Sequence, residues 1–119
     1  MAYTDLFIAP IDADMKDDYP AFCERMQRLI LGYGATSCAD FWAEDVQDGT
    51  LTSLPMAVKL QDGEVVTMGW VVWPDKETRD AGWGRMMSEE AEMKMPFDGK
   101  RMIFGGFTQI ATTGVSSGT

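Results

Sequence analysis

A change of hydrophobic period near the start of the chain restricts its fold more than any other feature of the sequence. Residues 3–9 follow a two-residue alternation, which predicts a β-strand that ends at Pro10. Between residues 15 and 33, apolar side chains recur every three or four positions, which predicts an amphipathic helix with Asp14 as its N-cap. Pro20 interrupts this stripe and has no N–H to donate, so we expect the helix to kink or restart there.

The remainder of the chain predicts four strands, a second helix and two irregular segments. In chain order they are a strand over residues 35–43, a loop over 45–55, a hairpin of strands at 56–60 and 65–73, a helix from an Asp75 N-cap to about Met87, a strand over 101–110 and a small-residue tail over 112–119. Gly82 and Gly84 each weaken the second helix by roughly 1 kcal/mol relative to alanine, so we expect packing to hold it in place.

The order β-α-β-(β-β)-α-β predicts a ferredoxin-like α+β fold, with an added strand in an antiparallel sheet and two helices on one face. We expect residues 1–111 to form one domain, followed by the tail. Aromatic residues occur on both faces of the strands, for example at Trp70 and Trp73. Because an exposed apolar sheet face normally marks an interface, we expect a homodimer.

The composition excludes several classes of function. Ten Lys and Arg stand against 19 Asp and Glu, a net charge of −9, which disfavours binding to nucleic acid or to an anionic membrane. Histidine is absent, which removes histidine bases and imidazole ligands for zinc or haem. The two cysteines have no metal-binding spacing, and the first residues do not resemble a signal peptide. We therefore expect a cytoplasmic protein with free thiols, no metal and no cofactor.

Residues 95–107, MPFDGKRMIFGGF, resemble the YbaA-like family of small bacterial proteins of unassigned function. Shorter matches occur in the same order earlier in the chain, at residues 42–46, 56–59, 73–74, 79–81 and 86–88. The resemblance covers nearly the whole chain and implies a dimeric α/β barrel, in which two ferredoxin-like sheets face each other. It implies no catalytic residues. Cofactor-free monooxygenases, small isomerases and haem-binding enzymes share this architecture, which is an analogy of fold alone.

Two carboxylates inside predicted strands are the strongest candidates for chemistry. Asp5 and Asp40 alternate onto faces that carry aromatic residues. A carboxyl group in an aromatic cavity has a raised pKa and can act as a base, and Asp40 is the expected catalytic residue. The alternative is an edge-strand charge, or an ion pair with Lys59 or Arg101.

We expect any pocket to lie between the two sheets of the dimer or at their rim, because helices cover the other face. The expected ligand-binding residues are Tyr3, Asp5, Phe7, Trp42 and Trp70, with Lys100 and Arg101 meeting an anionic substrate at the mouth. For the last two residues, the alternative is a solvated turn with charged strand-edge side chains.

Three functions from different classes remain open. The first is a homodimer that binds a small apolar or aromatic ligand between its sheets. The second is a cofactor-free enzyme, similar to a monooxygenase or an isomerase, that acts on a small aromatic substrate. The third is a structural dimer with a filled interior. The volume of the cavity separates the third function from the other two.

Overall fold

The computed structural model describes residues 1–114 and contains one antiparallel sheet of four strands in the order β2-β3-β1-β4. The elements, in chain order, are β1 (Tyr3–Asp12), α1 (Tyr19–Gly32), β2 (Ser37–Trp42), α2 (Leu54–Ala57), β3 (Glu64–Trp73), α3 (Lys76–Glu89) and β4 (Ile103–Thr108). The central strands β1 and β3 pair over ten residues each, from Tyr3 with Trp73 to Asp12 with Glu64. This is the predicted ferredoxin-like α+β class, with α1 and α3 on one face of the sheet.

Helix α1 begins after a separate 3₁₀ turn, which is the restart that Pro20 predicts. The turn covers residues 13–16, and Asp12 rather than Asp14 caps it, accepting a hydrogen bond from the Asp14 N–H at 2.9 Å. The expected Asp14 cap is therefore wrong, because Asp12 caps the turn and Asp18 is the N-cap residue of α1, where its side chain makes no capping hydrogen bond. Helix α1 then begins at Tyr19, with Pro20 in its first turn, where a missing N–H leaves no hydrogen bond unmade.

The predicted strand over residues 56–60 is wrong, because the chain forms the short helix α2 there. The Ser53 hydroxyl accepts a hydrogen bond from the Met56 N–H at 3.1 Å, and Pro55 occupies the first turn. A serine cap followed by an early proline is a helix-start signal, and it outweighs the short apolar run that suggested a strand. The sheet of the described chain consequently lacks the added strand.

The core beneath the helices is divided into two clusters. One consists of Ile30, Val71, Trp73 and Met86, and the other of Ile11, Tyr19 and Cys23. Both clusters contain residues of α1 and of the central strands. The space between sheet and helices is thus packed at its two ends by separate groups of side chains.

Helix α3 begins as predicted, with the Asp75 carboxylate accepting a hydrogen bond from the Thr78 N–H at 2.7 Å. Its two glycines have different surroundings. A Cβ at Gly82 would lie 2.6 Å from the Trp73 ring and 2.9 Å from the Tyr33 carbonyl oxygen, whereas a Cβ at Gly84 would meet nothing within 4 Å. Gly82 therefore allows α3 to approach a fully buried indole.

None of the helices in the described part of the chain has the length and apolar character needed to cross a membrane. The predicted tail, residues 112–119, lies partly outside the described residues.

The two glycines of α3 provide a matched test of this packing. Gly82→Ala should lower the free energy of unfolding by roughly 1–3 kcal/mol, because the new methyl group displaces the Trp73 ring or the helix. Gly84→Ala should raise it by up to about 1 kcal/mol, because alanine restricts the unfolded chain and nothing opposes its methyl group. Urea denaturation of both variants measures the difference, and equal effects would contradict the assigned role of Gly82.

Candidate functional site

A cavity of about 620 Å³ lies between the helix-covered face of the sheet and helices α1 and α3. Its walls include Ile30 and Met86 from one core cluster and Tyr19 and Cys23 from the other, so it occupies the gap between the clusters. Most of the lining is aromatic, aliphatic or methionine. The charged exceptions are Asp5, Asp40, Arg79 and Glu90.

Asp5 is 2% exposed and is held by donors from two other elements. The indole N–H groups of Trp73 and Trp83 donate to Asp5 Oδ2 at 2.9 and 2.6 Å. Arg79 donates from Nε and Nη2 to Asp5 Oδ1 at 3.0 and 2.8 Å, and from Nη1 to Asp80 at 2.9 Å. Hydrogen bonding to Asp5 raises the pKa of the Arg79 guanidinium. Both oxygens of Asp5 are therefore occupied, and the charge of Arg79 is shared between two carboxylates.

Asp40 has a different environment in the same cavity. Gln27 Nε2 donates to its Oδ2 at 2.8 Å, and the weak thiol donor of Cys23 also interacts with the carboxylate. Burial raises the pKa of Asp40, and these two hydrogen bonds oppose the rise. Within the described chain, no N–H or O–H group donates to Oδ1, and no buried side-chain polar atom lacks a partner, so Oδ1 retains accessible surface on a residue that lines the cavity.

A glycine makes room for this carboxylate. A side chain at Gly69, on the neighbouring strand β3, would collide with the Phe7 ring and with Asp40 Oδ1. Glycine in a strand interior weakens pairing, so its presence here indicates a close approach of side chains. The aromatic ring and the carboxylate both lie over the bare backbone of Gly69.

The two cysteines line the cavity but are poor nucleophiles. Burial, followed by the charge of Asp40, raises the pKa of Cys23 and of Cys38 to about 11. Both thiols are consequently protonated at neutral pH. Among residues 1–114, no three acidic or cysteine side chains are placed to hold a metal ion.

Four of the residues predicted for the site border the cavity, namely Asp5, Phe7, Asp40 and Trp70. Alternation along β3 places the Trp70 side chain on the opposite face, where its ring centroid is 4.7 Å from that of Phe41.

Tyr3 and Trp42 share the helix-covered face but do not line the cavity. The Arg79 guanidinium lies over the Tyr3 ring at 5.2 Å, and the Trp42 ring packs 6.0 Å from that of Tyr19. Both aromatic residues are structural neighbours of the cavity.

The expected position of the site between two facing sheets does not match this geometry. Asp5 pairs with Val71, and Asp40 pairs with Gly69, so both carboxylates lie on the face that the helices cover. Alternation predicts which side chains share a face, but it does not show which face the helices cover.

The position of Arg101 also does not match its expected anion-binding role. Its guanidinium already donates hydrogen bonds to two carboxylates of the protein. Arg101 donates from Nη1 and Nη2 to Glu64, each at 2.8 Å, and from Nε to Asp98 at 3.0 Å. Hydrogen bonds from Arg101 lower the pKa of Glu64 and of Asp98. Neither Arg101 nor Lys100 lines the cavity.

The polar residues of the cavity that sequence reasoning missed include Gln27, Arg79 and Trp83. Each carried a weak signal. Gln27 lies four positions after Cys23 and three before Ile30, so it is a polar residue on the apolar face of α1. Arg79 and Trp83 are four positions apart on α3 and therefore share a helix face.

The fold and the cavity define a class of protein, the ferredoxin-like α+β domains with a ligand-sized space under the helices. Residues 2–99 match the family described as Protein of unknown function (DUF1428), and this chain belongs to that family. The proteins named Uncharacterized protein YbaA from Escherichia coli strain K12 and from Shigella flexneri are each 43% identical over 114 residues, covering 92% of this chain and 97% of theirs. The resemblance in the sequence is thereby confirmed.

Two solved structures are similar in fold. One is a "putative monooxygenase" from Shewanella loihica PV-4, with a TM-score of 0.53 and 11% identity, covering 94% of this chain and 99% of that chain. The other is the de novo designed protein Foldit4, with a TM-score of 0.50 and 11% identity, covering 92% of this chain and 100% of that chain. At this identity the likeness shows the fold alone.

Removing the charge of Asp5 should destabilise the protein strongly. Asp5→Asn is expected to lower the free energy of unfolding by about 3–5 kcal/mol, because the partly buried Arg79 loses its main counterion. Asp80→Asn, which removes the solvent-exposed partner of the same guanidinium, should change stability little. Chemical denaturation of the two variants measures this contrast, and a stable Asp5→Asn protein would show that the indole donors alone hold the site.

Proposed function

We propose that this protein binds a small, mainly aromatic molecule in the cavity beneath α1 and α3. The observation that carries the proposal is the combination of an apolar space of about 620 Å³ with one partly free carboxylate oxygen, Asp40 Oδ1. Ligand sites are typically apolar cavities of several hundred Å³ with a few placed polar groups that set orientation.

The polar contacts of the cavity favour a neutral hydrogen-bond donor on the buried end of the ligand. Arg79 is neutralised by Asp5 and Asp80, so the cavity walls that the described residues form offer no unpaired cation to a carboxylate or phosphate. Asp40 accepts a hydrogen bond but cannot donate one while ionised. A phenolic or enolic hydroxyl group satisfies both conditions.

Proton transfer by Asp40 is a second candidate function. It is favoured by the raised pKa of Asp40, which brings the carboxylate closer to the strength of an effective general base at neutral pH. The "putative monooxygenase" of similar fold supports a comparison with cofactor-free chemistry, at the level of fold analogy only. The absence of a cofactor remains a prediction.

The sheet face opposite the helices supports the predicted homodimer. Between Thr4 and Ile8 on β1 and between Met68 and Val72 on β3, the side chains on this face are partly exposed and carry no charge. Large apolar side chains remain exposed there, with Phe41 and Ile103 each 41% and Phe107 57% accessible. We refer to this surface as the open face.

A second copy of the chain is the partner that the open face fits best. Because each chain has a net charge of −9, two chains repel each other over most of their surfaces. The open face is an extended uncharged area, so this repulsion is weakest there. Four strands spaced about 4.8 Å apart, with about 3.4 Å per residue, present several hundred Å² in projection. This is the scale of a stable interface, which buries about 800 Å² per partner. The third function, a structural dimer with a filled interior, concerns the space between the facing sheets of two chains and stays a prediction.

Asp40→Asn tests both candidate functions. 2-Naphthol should bind the wild type in the cavity, and the variant should bind it about tenfold or more weakly, because a hydrogen bond to a charged acceptor is lost. Isothermal titration measures the affinity, with the exposed turn variant Asp62→Asn as control. The variant should also be at least as stable at pH 7, because folding raises the pKa of Asp40 and its ionised form therefore opposes folding above that pKa.

The same variant separates binding from catalysis. 2-Tetralone deuterated at C1 is incubated with the protein in water. Replacement of the deuterium by hydrogen, followed by NMR, reports that Asp40 removes the hydrogen isotope from carbon as a base. Exchange by the wild type that disappears in Asp40→Asn supports proton transfer, whereas equal exchange in both proteins leaves binding alone. Equal 2-naphthol affinity in both proteins would contradict the proposed contact.

Phe107→Glu should convert the dimer into a monomer, because each interface would then bury two unpaired carboxylates. Met87→Glu is the matched control, since Met87 is 74% exposed on α3, on the other side of the sheet. Sedimentation velocity at micromolar concentration measures both variants beside the wild type. A monomeric wild type, or a dimer of unchanged affinity in Phe107→Glu, would contradict the assignment of the open face.

A further inference from the structure

A second cavity, of about 520 Å³, lies along α1 next to the segment that follows α3. Its apolar lining comes from Phe22, Met26, Leu29 and Met93, and its remaining lining residues are all cationic. These are Arg25, Arg28 and Lys94. We call this space the basic groove.

The three cations of the basic groove are not neutralised by the protein. Within residues 1–114, none of them has a carboxylate oxygen within 4.0 Å, whereas Lys76, Arg79, Arg85 and Arg101 all form ion pairs. All ten Lys and Arg residues lie in the described part of the chain, where six of them form no ion pair, and half of those six line this one groove. Such a concentration in a chain of net charge −9 indicates a local attraction for anions.

The acidic residues nearest in sequence lie outside the basic groove. Glu24 precedes Arg25 and Glu92 lies two residues before Lys94, but both are exposed and neither lines the groove. The Arg25 guanidinium instead lies over the Phe22 ring, at 5.8 Å from its centroid. Stacking on an aromatic ring leaves the edge donors of a guanidinium available to an anion.

The basic groove adjoins the main cavity. Phe22, Met26 and Met93 line both spaces, so three apolar side chains form their common wall. A ligand held by Asp40 would have to extend over these three side chains to reach the cations. The two ends of such a path differ in chemistry, since the inner end accepts a hydrogen bond and the outer end attracts negative charge.

We propose that the basic groove binds the carboxylate of an amphiphilic aromatic acid whose apolar body occupies the main cavity. The placement of the body rests on the proposed function, whereas the recognition of the carboxylate rests on Arg25, Arg28 and Lys94 alone. Two arginines match a carboxylate better than lysines do, because the planar guanidinium donates two parallel hydrogen bonds. The ligand is then a hydroxylated aromatic acid, with its hydroxyl group toward Asp40 and its carboxylate at the protein surface.

This assignment also relocates the anion site that the sequence suggested at Lys100 and Arg101. Arg101 is occupied by Glu64 and Asp98. The free cations that converge on a cavity lie instead on α1 and at Lys94.

A comparison of two probes and two double variants tests the proposal. The probes are 6-hydroxy-2-naphthoate and 2-naphthol, which share an aromatic body and a hydroxyl group and differ in the carboxylate. Arg25→Gln/Arg28→Gln removes two cations from the groove. Lys16→Gln/Lys100→Gln removes two exposed cations that are also unpaired in the described chain but lie outside it, so the net charge is matched.

The wild type should bind the naphthoate at least tenfold more tightly than 2-naphthol, by isothermal titration at low salt. The groove variant should lose roughly tenfold or more of its naphthoate affinity and retain its 2-naphthol affinity. The control variant should change neither affinity by more than about twofold, because it alters only long-range charge.

The outcomes distinguish this proposal from the proposed function. Naphthoate that binds no more tightly than 2-naphthol, or that binds the groove variant as well as the wild type, overturns the basic groove. An equal loss in the control variant also overturns it, because long-range charge then explains the effect. Naphthoate binding that depends on Arg25 and Arg28 but not on Asp40 supports the groove and contradicts the Asp40 contact.

Discussion

The buried carboxylate of Asp5 is the interaction on which the arrangement of the other elements depends. Burying a charge costs several kcal/mol unless donors replace the lost water. Here the replacements are two indole N–H groups and a guanidinium, and they join β1 to the end of β3 and to one face of α3. Helix α3 is thereby fixed at one end of the sheet by a polar cluster. The main cavity adjoins this cluster, and both Asp5 and Arg79 form part of its wall.

Two carboxylates on the same sheet face have acquired different chemistry from their surroundings. Asp5 has both oxygens saturated and a permanent counterion, so it serves the structure. Asp40 lines the cavity with an amide and a thiol as partners, a raised pKa and, in the described chain, one oxygen without an N–H or O–H donor, so it is available to a ligand. Pairs of titratable groups whose environments differ in this way are typical of functional sites. The difference lies in the neighbours, since the two side chains are identical.

The local features of the fold could be predicted because each depends on a few adjacent residues. The alternation in β1, the stripe of α1 with its restart at Pro20 and the Asp75 cap all belong to this kind. The strand expected at residues 56–60 failed because a short apolar run fits a strand or a helix equally well. At the site, the sequence identified Asp5, Phe7 and Asp40 as sharing a face with aromatic residues, and it missed Gln27, which orients Asp40 from a different element.

The sequence by itself determined the periods of the elements, the pairing of side chains by face, and the exclusion of histidine chemistry in a chain without histidine. Only the tertiary structure decided which face the helices cover, which cation neutralises Asp5, and which cations remain free. The ion pair of Asp5 joins residues 74 positions apart, and no local pattern encodes a partner at that separation. Arg79 and Arg101 form ion pairs of this kind, whereas Arg25 and Arg28 form none in the described chain. The packing of whole elements determines which carboxylates come close to each cation.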